Sequence, residues 1–142
     1  MVLVDTPIWS FALRRRAVDL SSAEQGLRQA LYELVRQRDV RLLGVIRQEV
    51  LCGIREESQF RRIRDHLRGF PDVGLDATDY EEAARIGNLC RRHGVADSSV
   101  DMLLCAVALR HSWEIFTTDR DFVQYARVVP IQMFVPHQPQ TC

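Results

Sequence analysis

With 142 residues the chain is long enough to bury one hydrophobic core and too short to divide into two. Its 19 basic residues cancel its 19 acidic ones, which excludes the strongly basic surface of a general duplex-binding protein. No apolar run approaches the roughly 18 residues that a membrane span needs, Met1 to Asp5 lacks the basic region and cleavage site of a secretion signal, and a cytoplasmic protein without membrane contact is expected.

Val2-Leu3-Val4 reads as a short strand closed by Asp5-Thr6-Pro7, where Thr6 is a candidate helix cap and Pro7 suits the first helical position. Ile8 to Leu13 continues as one or two helical turns before the basic cluster Arg14-Arg15-Arg16. Ser21-x-x-Glu24 and Ser22-x-x-Gln25 both have capping-box spacing, and Leu27, Leu31, Leu34 and Val35 keep helical period, which predicts a helix over 22–38. A second strand is expected at 39–44, followed by a helix over 45–51 with Glu49 near its start. Phe60, Ile63 and Leu67 line one side of an Arg-rich helix over 58–70 that Pro71 stops.

Val73-Gly74-Leu75 is a candidate short strand, and Thr78-x-x-Glu81 a candidate opening for the next helix, which should end before Gly94. Ser98 or Ser99 caps a helix from Val100 to Leu109 that is apolar almost all round except at Asp101, the signature of a buried helix. Glu114 to Thr118 is then a strand, Asp119 to Phe122 a turn into a short helix, and 128–135 a last strand. The alternation predicts a three-layer α/β/α sandwich around a central, mostly parallel sheet of about five strands. One domain over residues 1–135 is expected, with a flexible tail over 136–142.

Four acids stand where the pattern predicts burial: Asp5 and Asp119 at strand ends, Glu49 in an apolar helical turn and Asp101 at the start of the apolar helix. Each has a plain reading alone, as a helix N-terminal acid, a surface ion pair with Arg47 or Arg55, or a turn residue. As a set they need a partner, because a buried carboxylate loses several kcal/mol of hydration unless it is paired or ligates a cation. Hard oxygen donors suit a divalent ion such as magnesium. Cys52, Cys90, Cys105 and Cys142 have no C-x-x-C spacing, which argues against a zinc or redox site, and the first three read as small core residues.

Four segments in order, Val2-Leu3-Val4-Asp5-Thr6, Gln48-Glu49-Val50-Leu51-Cys52-Gly53, Asp101 through Leu109, and Thr117-Thr118-Asp119-Arg120-Asp121-Phe122, resemble the PIN-domain ribonucleases and, within them, the VapC-type toxins of bacterial toxin–antitoxin pairs. The resemblance covers nearly the whole chain. It implies that Asp5, Glu49, Asp101 and Asp119 form the catalytic set and hold one or two Mg²⁺ or Mn²⁺ ions, with Thr6 and Thr117 as supporting hydroxyls and Asp121 assisting or replacing Asp119. It also implies a VapB-like antitoxin partner and a homodimer. Pro7 stands where that family usually carries a small polar residue, and Leu104-Cys105 replaces a commoner Ile-Ala pair; neither removes a carboxylate.

The activity so implied is metal-dependent endoribonuclease cleavage of RNA by a toxin. A metal-activated hydroxide would attack the phosphodiester, and arginines at 14–16 and 55–68 are candidates to grip the backbone of single-stranded or looped RNA. Two other readings stay open: a PIN nuclease of ordinary RNA maturation, and a non-catalytic protein whose acidic groove receives a basic peptide. Phosphoryl transfer through an aspartyl intermediate is disfavoured, because the chain has no lysine and no D-x-D-x-T pattern.

Overall fold

The computed structural model of the chain describes residues 1–137. The expected tail over 136–142 therefore lies, beyond His137, outside the described residues. Four strands, β1 (Val2–Val4), β2 (Val40–Arg41), β3 (Glu114–Phe116) and β4 (Gln132–Met133), form a wholly parallel sheet in the order β2-β1-β3-β4. Seven α-helices connect them: α1 (Thr6–Leu13), α2 (Ser22–Arg36), α3 (Gly44–Leu51), α4 (Glu57–Leu67), α5 (Ala77–Arg92), α6 (Ser99–His111) and α7 (Asp121–Tyr125). The chain leaves β1 toward one edge and returns past it to β3. With crossovers of one hand, that reversal puts helices on both faces of the sheet and gives the α/β/α sandwich expected.

The sheet is buried from both sides, so its strands are apolar at successive positions rather than alternate ones. Leu3, Val4, Ile115 and Phe116 are at most 1% exposed, and α6 is buried continuously from Met102 to Ala108. The core is closed beside β1 by Trp9, whose indole N–H donates to the Val4 carbonyl at 3.2 Å while its ring meets Phe70 edge-on.

Several elements are shorter than the sequence pattern suggests. Val73-Gly74-Leu75 forms no strand; pairing is confined to a single bridge between Leu42 and Asp72, with the Val73 amide donating to the Leu42 carbonyl. Pro71 and Gly74 interrupt that segment, and the Arg47 guanidinium grips Asp72 Oδ1 through two nitrogens at 2.9 and 2.8 Å, so a side chain holds what a ladder would otherwise hold. The sheet accordingly has four strands. β2 stops at Arg41 because α3 already starts at Gly44, and β4 spans two residues because Val128 and Val129 turn back to the Tyr125 carbonyl.

Two helices open on carboxylates where the pattern offered threonine hydroxyls. Asp5, not Thr6, caps α1: its backbone is extended and Oδ1 accepts from the Thr6 amide at 2.8 Å, which moves Pro7 one place into the helix. α5 opens on a reciprocal box between Asp76 and Asp79 rather than at Thr78 and Glu81, and the buried Asp79 is paired with Arg110 at 2.9 Å. Ser21 and Glu24 do form the capping box of α2, and Ser98 caps α6. Cys90 and Cys105 are core residues as expected, but Cys52 is exposed at the end of α3, where Gly53 takes the left-handed conformation that turns the chain away.

Candidate metal centre

The reversal of strand order falls between β1 and β3, and the crevice beyond their carboxyl ends is where an α/β sheet presents side chains to a ligand. Asp5 is the first residue past β1. Its amide donates to the Phe116 carbonyl at 2.9 Å, so the ladder reaches one residue into the site, and its side chain is only 5% exposed. Past β3, the Thr117 hydroxyl donates to Asp5 Oδ2 at 2.7 Å and accepts from the Asp119 amide at 3.0 Å. Asp119 Oδ1 in turn accepts from the Asp121 amide at 2.9 Å, a local turn that starts α7.

Asp101 lies in the first turn of α6, where its amide donates to Ser98 Oγ at 3.2 Å and its Oδ2 accepts the Tyr125 hydroxyl at 2.8 Å. Glu49 is in the second half of α3, the sixth of its eight residues, not near the start as the pattern suggested, because the helix begins at Gly44 and ends at Leu51, two residues beyond Glu49. The Thr6 hydroxyl donates to Glu49 Oε1 at 2.9 Å and so links α1 to α3. Three acids from three elements thus each accept one hydroxyl hydrogen bond.

Burial raises the Asp5 carboxyl from its ordinary 3.8 to about 6; Thr117 and the Thr6 amide pull against it, and the charges of Asp101 and Glu49 push the same way as burial. Asp101 is also raised, first by burial and further by Asp119 and Asp121, against hydrogen bonds from Tyr125 and Ser98. These couplings join five acids in one field: Asp5 feels Asp101 and Glu49, and Asp101 feels Asp119 and Asp121. One carboxylate oxygen from each of Asp101, Asp119 and Asp121 lies within 4.8 Å of the others.

Among the described residues none of the five is in an ion pair. Arg47 is instead paired with Asp72, Arg91 with Asp97 and Arg110 with Asp79. Of the acids expected to be buried, Asp5 is buried and Asp101 half-buried, whereas Glu49 is exposed on the solvent side of α3, as is Asp121 at the start of α7. A crowded set of this kind without a cation among the described residues fits a bound one, and an all-oxygen set fits a hard divalent ion such as Mg²⁺ or Mn²⁺. The nearby Cys105 thiol does not alter that donor set. Burial, with help from Asp101, Cys90 and Asp5, pushes its acidity far down, so the sulfur stays protonated.

The four acids singled out in the sequence meet at one end of the sheet, and Asp121 joins Asp119 there rather than replacing it. Asp97 stays outside, tied to Arg91 at 2.8 Å. Sequence reasoning missed Tyr125. Its position four residues after Asp121 in a short helix was a weak signal, but its partner lies 24 residues away on α6.

One consequence is measurable without any metal. A carboxyl whose folded-state pKa lies above its unfolded value favours folding while it is protonated, and that stability is lost as pH rises from about 4 through 6. For Asp5 the loss at neutral pH approaches about 3 kcal/mol, the free-energy equivalent of moving from 3.8 to about 6. Asp5→Asn removes the charge and can keep both contacts, its oxygen facing the Thr6 amide and its NH₂ facing Thr117 Oγ. In chelator-treated buffer at pH 8 the variant should melt several degrees above wild type, with the gap closing toward pH 4. A gap that is absent at pH 8, or that widens on acidification, would contradict an uncompensated Asp5.

The family model of the PIN domain matches residues 2–128 of the chain. Among curated relatives, the VapC ribonuclease Mb1587 of Mycobacterium bovis and the ribonuclease VapC11 of Mycobacterium tuberculosis are each 30% identical over 134 residues, covering 93% of this chain and 96% of theirs. The fold resembles that of a chain in the crystal structure of FitAcB from Neisseria gonorrhoeae, at a TM-score of 0.74 and 20% identity, over 96% of this chain and 98% of that one. It likewise resembles a chain of VapBC2 from Rickettsia felis bound to a DNA fragment from their promoter, at a TM-score of 0.72 and 13% identity, over 94% and 98%.

Proposed function

The chain belongs to the PIN-domain family, among the VapC-type ribonucleases of toxin–antitoxin pairs, and from that premise we propose that it is a Mg²⁺- or Mn²⁺-dependent endoribonuclease that acts as a cytoplasmic toxin. The observation that carries the reading is the group of five acids without a protein counter-charge at the carboxyl ends of β1 and β3. Asp101, Asp119 and Asp121 would hold the cation, with Asp5 and Glu49 completing the acidic wall. When bound, such an ion offers positive charge to the phosphate oxygens and acidifies a water molecule.

The chain's own residues do the positioning. Thr117 engages Asp5 Oδ2 and the Thr6 amide engages Oδ1, so the Asp5 carboxylate cannot swing out of the crevice. Thr6 takes one oxygen of Glu49 and leaves Oε2 to accept a hydrogen bond from the attacking water. An acidic wall repels RNA, so affinity must come from arginines outside it. Arg61 is partly offset by Glu57, Arg64 and Arg68 by Asp65, and Arg15 by Glu24, which leaves Arg55, Arg62, Arg14 and Arg16 as the better candidates to meet phosphates.

No helix among the described residues is long and apolar enough to cross a membrane. The same proposal includes pairing with a VapB-like antitoxin and a homodimer. For the latter, a groove between α5 and α6 with Tyr80, Ala84, Val100 and Leu103 along it and the Arg91–Asp97 pair at its side is a suitable face. The test is cleavage of a structured RNA carrying single-stranded loops by purified protein sedimenting at twice the chain mass. Cleavage in Mg²⁺ or Mn²⁺ that stops in chelator is expected; RNA left intact in both metals would remove the nuclease reading and favour a purely binding role for the acidic groove.

A further inference from the structure

Tyr125 is the last residue of α7 and is 1% exposed, with its ring edge-on to Phe122 at 5.1 Å. A ring fixed in this way has one polar atom, and that hydroxyl donates across the helix boundary to Asp101 Oδ2 at 2.8 Å. Asp121 opens the same helix, four residues earlier and hence on the same side as Tyr125. The hydroxyl therefore ties the segment carrying Asp119 and Asp121 to the first turn of α6, which carries Asp101. These are the three residues whose carboxylate oxygens approach within 4.8 Å of one another.

We propose that Tyr125 is a positioning residue of the metal centre, one that holds the Asp101 carboxylate through Oδ2 and so fixes its orientation toward Asp119 and Asp121. The inference rests on the reading of these acids as cation ligands. Two effects of losing the hydroxyl oppose each other. Asp101 would regain the charge density that the hydrogen bond withdraws, which favours cation binding, but its carboxyl would be free to rotate and α7 free to drift. Partners of this kind, placed behind a ligand, typically contribute 10–100-fold to metal affinity, so the orientational loss dominates.

A merely structural role makes a different prediction. If the bond only satisfied a buried phenol, Tyr125→Phe would lower the melting temperature and leave cation affinity alone. Calorimetric titration of the metal-free full-length chain with Mn²⁺ separates the two. Tyr125→Phe should fold, as judged by circular dichroism, and bind Mn²⁺ about tenfold more weakly than wild type. Asp101→Asn should weaken binding further, and in Asp101→Ala, where the hydroxyl has no acceptor, adding Tyr125→Phe should have no additional effect, because the hydroxyl acts through that side chain.

4-Aminophenylalanine at position 125 keeps a donor on the ring and should restore affinity close to wild type, which holds even if the phenylalanine variant folds poorly. Wild-type affinity in Tyr125→Phe, together with weakened binding in Asp101→Asn, overturns the positioning role and leaves the metal reading standing. The same follows if the amino analogue folds and binds no better than the phenylalanine variant. Undiminished Mn²⁺ binding by Asp101→Asn overturns the metal reading itself and the inference with it.

Discussion

Asp5→Asn and Asp101→Asn should each lower RNA cleavage by about 10²–10³-fold, the size typical of removing one charge-stabilising group from a preorganised site, while both proteins remain folded. The shapes are nearly conserved. An asparagine oxygen at position 5 can still accept from the Thr6 amide, and one at position 101 can still accept from the Tyr125 hydroxyl. What disappears is a negative charge on an acid that no arginine among the described residues pairs with. Asp97→Asn is the contrasting case: it weakens the pair with Arg91, removes an acid of equal charge from the loop just before α6, and should leave cleavage as it was. Single-turnover cleavage in Mg²⁺ with circular dichroism as the folding control measures all three. Cleavage at the wild-type rate in either Asp5→Asn or Asp101→Asn would remove that acid from the site.

The second large effect is on growth. Expression of the chain alone in a bacterial host should arrest growth, and co-expression of a cognate VapB-like antitoxin should restore it. An accessible acidic site with cellular magnesium has RNA always within reach, whereas a bound partner that lays basic groups along the five acids competes with cation and substrate together. Asp5→Asn at equal abundance should be harmless, which separates catalysis from the burden of overexpression. Equal growth arrest by wild type and Asp5→Asn would end the toxin reading. Harmless wild type that still cleaves RNA in vitro would leave the nuclease intact and point to ordinary RNA maturation.

The carboxylates were legible from pattern alone for a local reason. An acid at the end of a strand that is apolar at every position, or in the first turn of a helix apolar all round, can be placed in a buried environment without knowing the fold. Asp5, Asp101 and Asp119 met that criterion. Glu49 was the weakest by the same logic, since taken alone a surface acid or an ion pair with Arg47 or Arg55 was the favoured reading; the structure gives Arg47 to Asp72 and Glu49 to Thr6. The helix openings show where local reading falls short. Thr6 and Thr78 were the obvious caps, but Asp5 and Asp76 lie one residue or two before them with extended backbones and a stronger, charged acceptor.

By itself the sequence determined the alternation of strands and helices apart from the strand expected at 73–75, the burial of β1, β3 and α6, and the family resemblance, because each of these depends on side-chain character within a few residues. Only the tertiary structure decided the pairing of those acids with hydroxyls. Thr117 reaches Asp5 across 112 residues, Thr6 reaches Glu49 across 43, and Tyr125 reaches Asp101 across 24. It also decided that Asp119 and Asp121 stand together beside Asp101. Hydrogen bonds of this kind are set by strand order and helix docking to within a fraction of an ångström, and nothing in the spacing of residues along a chain encodes a distance between two elements that touch only after folding.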